Sequence, residues 1–319
     1  MTTLATAAPA VEEGELDGFA ALTLRAGDLA ATFVPSLGMV GASLRHAGEE
    51  LLDRRDGLRA YRDTGAVLGL PLLHPWANRL DAFSYTLHGR EVVLPPGPPL
   101  VHCEEHGLPI HGLLAAHPGW SVRTAAGRDR TRLRARLDLR AFPEVLEAFP
   151  FPHTLTIDAG LTAERLTVTT TVRPTGGAPV PVAFGFHPYF TLPGEARERW
   201  RVSLPGRRHL VLDRRGIPTG AGAHEAPVHF TLGDRAFDDG YDRIAPGATF
   251  AVQGGGRRLT LTHDAGYPVA QIYSPAGAAF LCFEPMTAPV NALRTGAGLR
   301  RVIPGDRFAA TFSITVDEL

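Results

Sequence analysis

The stretch Leu166-Thr167-Val168-Thr169-Thr170-Thr171-Val172-Arg173 decides the fold class. In an extended chain successive side chains point to opposite faces. Leu166, Val168, Thr170 and Val172 therefore share one face, and Thr167, Thr169, Thr171 and Arg173 share the other. The same period of two returns along the chain. Leu133, Ala135, Leu137 and Leu139 alternate with Arg132, Arg134, Arg136, Asp138 and Arg140. Leu259 and Leu261 alternate with Thr260 and Thr262, and Phe312, Ile314 and Val316 with Thr311, Ser313 and Thr315. Each segment reads as a strand with one buried and one wet face, the pattern of antiparallel sheets. Proline (27) and glycine (35) punctuate these segments closely enough to supply many turns. Gly254-Gly255-Gly256 reads as one such turn. Helical periodicity is limited to a short piece near Pro143 to Phe149. The expected fold is all-β, a large antiparallel β-sandwich with few short helices.

No linker divides the chain, and no repeat of 20–50 residues points to a propeller or solenoid. Residues 17–319 are read as a single domain. Residues 1–16, with a small-residue run and Glu12, Glu13 and Glu15, are read as a disordered lead-in and not as a secretory signal.

Composition excludes several function classes. The net charge of −1 gives no electrostatic case for a nucleic-acid partner. No apolar run approaches the roughly 18 residues a membrane span needs. With only two cysteines, Cys103 and Cys282, a cytoplasmic setting is the default expectation. All 32 basic residues are arginine. Without lysine there is no Schiff-base chemistry and no P-loop. No dinucleotide fingerprint is present either, so no cofactor is expected.

Five segments carry candidate chemistry. In Phe184-Gly185-Phe186-His187-Pro188-Tyr189-Phe190 the alternation puts Phe184, Phe186, Pro188 and Phe190 on a core face. Gly185, His187 and Tyr189 share the other, where the missing side chain of Gly185 leaves a notch for a ring-shaped ligand. Pro188 biases His187 toward an extended backbone. The ring is a proton donor or acceptor, or else a buried histidine bonded to backbone. In Trp76-Ala77-Asn78-Arg79, asparagine and arginine can hold hydroxyl groups while the indole covers an apolar ring face. The alternative is a surface arginine beside a half-buried tryptophan. The cluster His102-Cys103-Glu104-Glu105-His106, followed by His111-Gly112, matches no common zinc spacing, and no metal is assigned to it. In Phe237-Asp238-Asp239-Gly240-Tyr241-Asp242, three carboxylates bind hydroxyls or a cation, or mark an Asp-Gly hairpin turn. In Phe280-Leu281-Cys282-Phe283-Glu284-Pro285, a carboxylate ends an apolar strand. It must find a partner or have its pKa tuned for proton transfer.

In their order along the chain these segments resemble the aldose 1-epimerase (galactose mutarotase) family. The pieces that carry the resemblance are Asn78-Arg79, His111-Gly112, His187-Pro-Tyr-Phe, Asp238-x-x-Tyr241 and Phe283-Glu284-Pro285, spanning about residues 75 to 290. The resemblance implies the galactose mutarotase-like supersandwich fold and an isomerase of carbohydrate metabolism that interconverts the anomers of a free aldohexose. It implies His187 as general acid toward the ring oxygen and Glu284 as general base toward the C1 hydroxyl. Arg79, His111 and Asp238 then orient substrate, with Asn78 supporting Arg79; the segment readings add Trp76 and Tyr189 as further substrate-binding residues. The chain departs from the usual His-Ser-Tyr-Phe and Asp-His-x-aromatic patterns, so Asp239 or Asp242 could replace Asp238. The implied partner is a small monosaccharide bound by a monomer or homodimer, with no nucleic acid or membrane. The rival readings are a non-catalytic carbohydrate-binding or regulatory module, a glycosidase pairing Glu284 with Asp238 or Asp239, and a sugar-phosphate epimerase.

Overall fold

A computed structural model describes residues 8–87, 89–97 and 100–319. Its centre is a nine-stranded antiparallel sheet. In sheet order the strands are Ser121–Ala126, Thr131–Asp138, His153–Leu161, Arg165–Pro174, Phe308–Glu318, Arg257–Ala265, Ala248–Gly254, Arg201–Leu204 and Val228–Thr231. The alternation predicts its faces. Leu133, Ala135 and Leu137 are buried while Arg132, Arg134 and Arg136 are exposed, and Leu166, Val168, Thr170 and Val172 are all buried. Gly255 and Gly256 form the expected two-residue turn between Ala248–Gly254 and Arg257–Ala265, both at positive φ (56° and 75°), which glycine adopts without steric cost.

A second antiparallel sheet runs Pro218–Glu225, Arg207–Leu212, Phe237–Asp242, Val269–Ser274, Leu281–Met286, Gly185–Phe186 and Leu72–Leu73. Tyr189–Phe190 also pairs with Leu281–Met286. Aromatic rings stitch the two large sheets together: Phe186 meets Phe312 at 5.0 Å between centroids, and Phe250 meets Phe283 at 5.6 Å. A five-stranded sheet of Ala10–Leu16, Phe19–Ala26, Leu29–Val34, Val40–His46 and Glu49–Glu50 covers one side.

Four local expectations change. Ala10–Leu16 is an ordered strand, paired from Ala10↔Arg25 to Leu16↔Phe19, and not part of a disordered lead-in. Its glutamates lie on an exposed edge, while Val11 and Leu16 pack inward. Residues 1–7 lie outside the described residues. Besides the expected Pro143–Ala148, helices form at Gly57–Thr64 and Ala292–Thr295. Gly57–Thr64 anchors itself through only Leu58 and Tyr61, too few positions to display a 3.6-residue period. Asp239-Gly240 is no hairpin turn. It lies within the strand Phe237–Asp242, whose neighbours on both sides override the local turn preference. The stretch from Phe184 to Phe190 is not one continuous strand either, because its pairing lapses at His187 and Pro188. Proline has no N–H to give the ladder.

Candidate active site

The lapse leaves the register intact. Gly185 pairs with Met286 and Tyr189 with Cys282, so His187 falls directly opposite Glu284. Both side chains leave the same face of the sheet, while the neighbouring Phe186 and Phe283 enter the core. His187 Nε2 lies 3.2 Å from Glu284 Oε1, with side-chain exposures of 5% and 1%. Two X-Pro segments 97 positions apart in number thus meet by strand pairing alone.

Burial sets the charge of this pair. It drives the His187 imidazole well below its ordinary value, with the nearby His111 and Arg55 adding to the effect. It drives the Glu284 carboxyl well above its ordinary value, reinforced by Asp238 and opposed by Arg79. Both shifts favour the neutral forms, so burial works against separated charge on this pair. Glu284 Oε2 has no hydrogen-bond partner among the described residues, nor does His187 Nδ1. Buried polar atoms left this way are costly in a finished core and are understandable in a site that a polar ligand completes.

Tyr189 stacks on His187, its ring 4.4 Å away and 3° from parallel, with its hydroxyl 3.4 Å from Nε2. The Arg55 guanidinium lies 5.5 Å over the Tyr189 ring and 5.3 Å over Phe280. His111 meets His187 edge-on at 5.5 Å. Burial, with Arg79 and His102 contributing, lowers its pKa to about 3, so it stands as a neutral imidazole. The backbone of His111 is left-handed (φ 64°), and Gly112 follows at φ 77°. A Cβ on Gly112 would sit 2.2 Å from the His74 carbonyl oxygen, so only glycine permits this approach.

Arg79 is clamped from three sides. Its Nε donates to Glu104 Oε2 (3.3 Å), Nη1 to Asn78 Oδ1 (3.2 Å) and Nη2 to Asp238 Oδ2 (3.3 Å). Asn78 Oδ1 also accepts from the Arg79 backbone N–H at 2.8 Å, from a left-handed turn (φ 58°) that asparagine tolerates. Asp238 is held in turn by Gln271, whose Nε2 donates to Oδ1 at 2.6 Å. Glu104 Oε1 accepts from the backbone N–H groups of His106 and Leu108. Glu104 is thus committed to positioning Arg79, although its ligand atom lies within 4.8 Å of those of Glu105 and His106.

These groups enclose a cavity of about 450 Å³ that brings together His187, Glu284, Tyr189, Asn78, Arg79, His111 and Asp238. Trp76 and both alternatives to Asp238 are not among its lining. Trp76 is 1% exposed, its backbone bridges to Ala183, and its indole belongs to the main core. An indole is the largest apolar payload a chain can bury, and here packing claims it. Asp239 points to the opposite face of its strand from Asp238 and contacts His209 instead. Asp242 is taken by a bidentate pair with Arg208 at 2.7 and 2.6 Å. The Gly185 notch is filled by protein: a Cβ there would meet the Pro285 carbonyl oxygen at 2.8 Å and Ala77 Cβ at 3.0 Å. Glycine at 185 lets strands close up and makes no room for a ring. Arg55 and Gln271 are pocket or supporting residues with little sequence signal. Arg55 is one arginine among many. Gln271 is a lone polar residue in an apolar strand and is 1% exposed.

The architecture defines the class: a galactose mutarotase-like sandwich. The structure superposes on a galactose mutarotase-like protein from Clostridium acetobutylicum with a TM-score of 0.84, at 17% identity over 98% of this chain and 99% of that one. It superposes on galactose 1-epimerase from Lactobacillus acidophilus NCFM with a TM-score of 0.76, at 16% identity over 97% and 98% of the two chains. At such identities the likeness is one of fold. In sequence, the chain is 26% identical over 266 residues to the uncharacterized protein YihR of Escherichia coli (strain K12), covering 77% of this chain and 80% of that one. The aldose 1-epimerase family profile matches residues 21–315, and the chain belongs to that family. Among the described residues no helix is long and apolar enough to cross a membrane.

Proposed function

We propose that this protein is an aldose 1-epimerase that interconverts the α and β anomers of a free aldose by opening and reclosing its ring. One observation carries the reading: a buried histidine and a buried glutamate, 3.2 Å apart, on the wall of a cavity lined with hydroxyl-binding groups. The hemiacetal proton and the ring oxygen both belong to substituents of C1. An acid and a base that serve them must stand side by side, as His187 and Glu284 do. A glycosidase pair of carboxylates has weaker support, since Asp238 is engaged by both Arg79 and Gln271.

The proposed cycle uses the single proton of the pair. Hydrogen bonds from substrate hydroxyls and the positive charge of Arg79 favour the Glu284 carboxylate, and the proton crosses to His187 Nε2. Glu284 then takes the O1 proton while His187 protonates the ring oxygen. The C1–O5 bond breaks and the aldehyde forms. Rotation about C1–C2 presents the other carbonyl face. In reclosure His187 takes the proton back from O5–H and Glu284 returns one to O1. Protons balance, and the pair ends as it began. Tyr189, whose hydroxyl is kept protonated by burial, holds the imidazole plane by stacking. Asn78, Arg79, His111 and Asp238 orient the ring. The reaction runs in the chain's native setting without a cofactor, and cytoplasmic location is part of the same proposal.

Polarimetry on freshly dissolved α-D-glucose and α-D-galactose tests this. Glu284→Gln and His187→Asn should each lower the catalysed rate about 10²–10⁴-fold, the usual worth of a positioned acid or base. A wild-type rate in either variant, with the fold intact by circular dichroism, overturns the assignment.

A further inference from the structure

Among the described residues, two arginines line the cavity at His187. Arg79 is ion-paired with Glu104 and Asp238. Arg55 forms no such pair among the described residues. Its guanidinium rests instead over the rings of Tyr189 and Phe280, at 5.5 and 5.3 Å. The place of Arg55 is fixed by the backbone. The chain just before it is bonded to the strand that carries Tyr189. Thr191 N–H donates to the Leu51 carbonyl (3.0 Å), Leu52 bridges to Phe190, and Asp53 N–H donates to the Tyr189 carbonyl (2.8 Å). Asp53 Oδ1 then accepts from the Arg55 backbone N–H at 2.6 Å. Arg55 itself is left-handed (φ 43°), a conformation uncommon for a residue with a Cβ. On its other flank Arg54 is paired with Asp17 at 2.8 Å.

Tyr189 carries the contact onward. Its ring lies 4.4 Å from His187 and 3° from parallel, and its hydroxyl is 3.4 Å from Nε2. Cation, phenol and imidazole thus follow one another in contact. The other groups that face His187 bring no lasting positive charge. Glu284 is the acid at 3.2 Å. Tyr273 meets the ring edge-on at 5.8 Å, and the neutral His111 meets it edge-on at 5.5 Å. Cys282, opposite Tyr189, is a buried thiol kept protonated by burial. Asp238 and Arg79 act on Glu284. A cation beside an imidazole raises the free energy of the imidazolium, and a buried site does little to screen it.

We propose that Arg55 is a positioning residue for ring opening: it holds Tyr189 against His187, and its charge makes the His187 imidazolium a stronger acid toward the ring oxygen. The inference rests on the ring-opening reading and deepens it. Arg55 acts through Tyr189 and through its field, without touching the reacting atoms.

Arg55→Met removes the charge and keeps an apolar stem over the rings. Arg55→Lys keeps the charge. Arg55 is exposed, so neither change empties the core, and circular dichroism checks the fold. Polarimetry on α-D-glucose across pH gives kcat and KM. Nuclear magnetic resonance follows the titration of the His187 ring independently of turnover, with His187→Asn identifying its signal. In Arg55→Met the acid limb of kcat/KM and the His187 midpoint should both move up by about one pH unit, since a nearby positive charge has been removed. A weaker acid should lower kcat about three- to tenfold, with KM within about twofold of native. Arg55→Lys should bring the midpoint back to within about 0.3 pH unit of native. An acid limb and a midpoint that do not move in Arg55→Met overturn the proposal. So does a raised KM at unchanged kcat, which would make Arg55 a substrate contact. If no sugar is turned over but the midpoint still rises in Arg55→Met, the hold of Arg55 on His187 stands and the ring-opening reading falls.

Discussion

Two histidine–carboxylate clusters sit on the same sheet at nearly equal distances. His187 is 3.2 Å from Glu284, and His209 is 2.9 Å from Glu225 and 3.2 Å from Asp239. Their surroundings differ. The first pair is 5% and 1% exposed, whereas the second cluster is 33–36% exposed. In the first, removal of water pushes the acid up and the imidazole down, favouring the neutral form of each group. In the second, water reaches the groups, and the contacts are solvated hydrogen bonds between partly exposed side chains. Proximity brings an imidazole and a carboxylate together in both places. Exclusion of water suits only one of them to the proposed proton transfer.

The sharpest way to break this contrast is to remove the dry pair. Glu284→Gln and His187→Asn should cost about 10²–10⁴-fold in mutarotation, and His209→Asn less than about tenfold on a monosaccharide. A His209 loss as large as the His187 loss would erase the distinction. The core residue Trp76 gives the next largest effect. Trp76→Ala should cost about 3–5 kcal/mol in denaturant unfolding through the cavity it leaves. Unaltered stability with a raised KM would return Trp76 to the substrate site.

The pH profile sharpens the comparison further. The working pair holds one transferable proton. Below the His187 value both groups are protonated and the base is lost. Above the Glu284 value both are bare and the acid is lost. Because His187 is depressed from 6.5, the acid limb of kcat/KM should lie below pH 6.5. Because Glu284 is raised from 4.5, the alkaline limb should lie above pH 4.5, with a plateau between the limbs. Rates that fall as pH drops through 6.5, or that are already falling at pH 4.5 as it rises, would contradict a buried neutral pair.

Much of the fold was legible because the period of two is a local property. Leu166 to Val172 and Leu133 to Leu137 each declare a buried face without reference to any partner strand. The mutually supporting parts of the site were legible for a different reason. His187 and Glu284 are titratable groups in apolar strands, and such groups need an explanation wherever they lie. The misreadings share one cause. Residue type alone suggests a sugar contact at Trp76 and Asp239 and a gap at Gly185, and what each does depends on what packs against it. Alternation establishes that Asp238 and Asp239 face opposite ways, but not which side holds the pocket. Only the Gln271 and Arg79 contacts of Asp238 decide that. Arg55 carried no signal, because its place over Tyr189 depends on a loop whose position is set by the sheet beneath it.

The sequence by itself determined the all-β architecture, the faces of its strands and a short roster of groups able to exchange protons. The tertiary structure decided which of them meet. It did so through the register that sets residue 187 opposite residue 284, and through the burial that removes water from that one contact and leaves the His209 cluster wet. Register and dielectric are properties of the assembled sheet, and no single strand carries either.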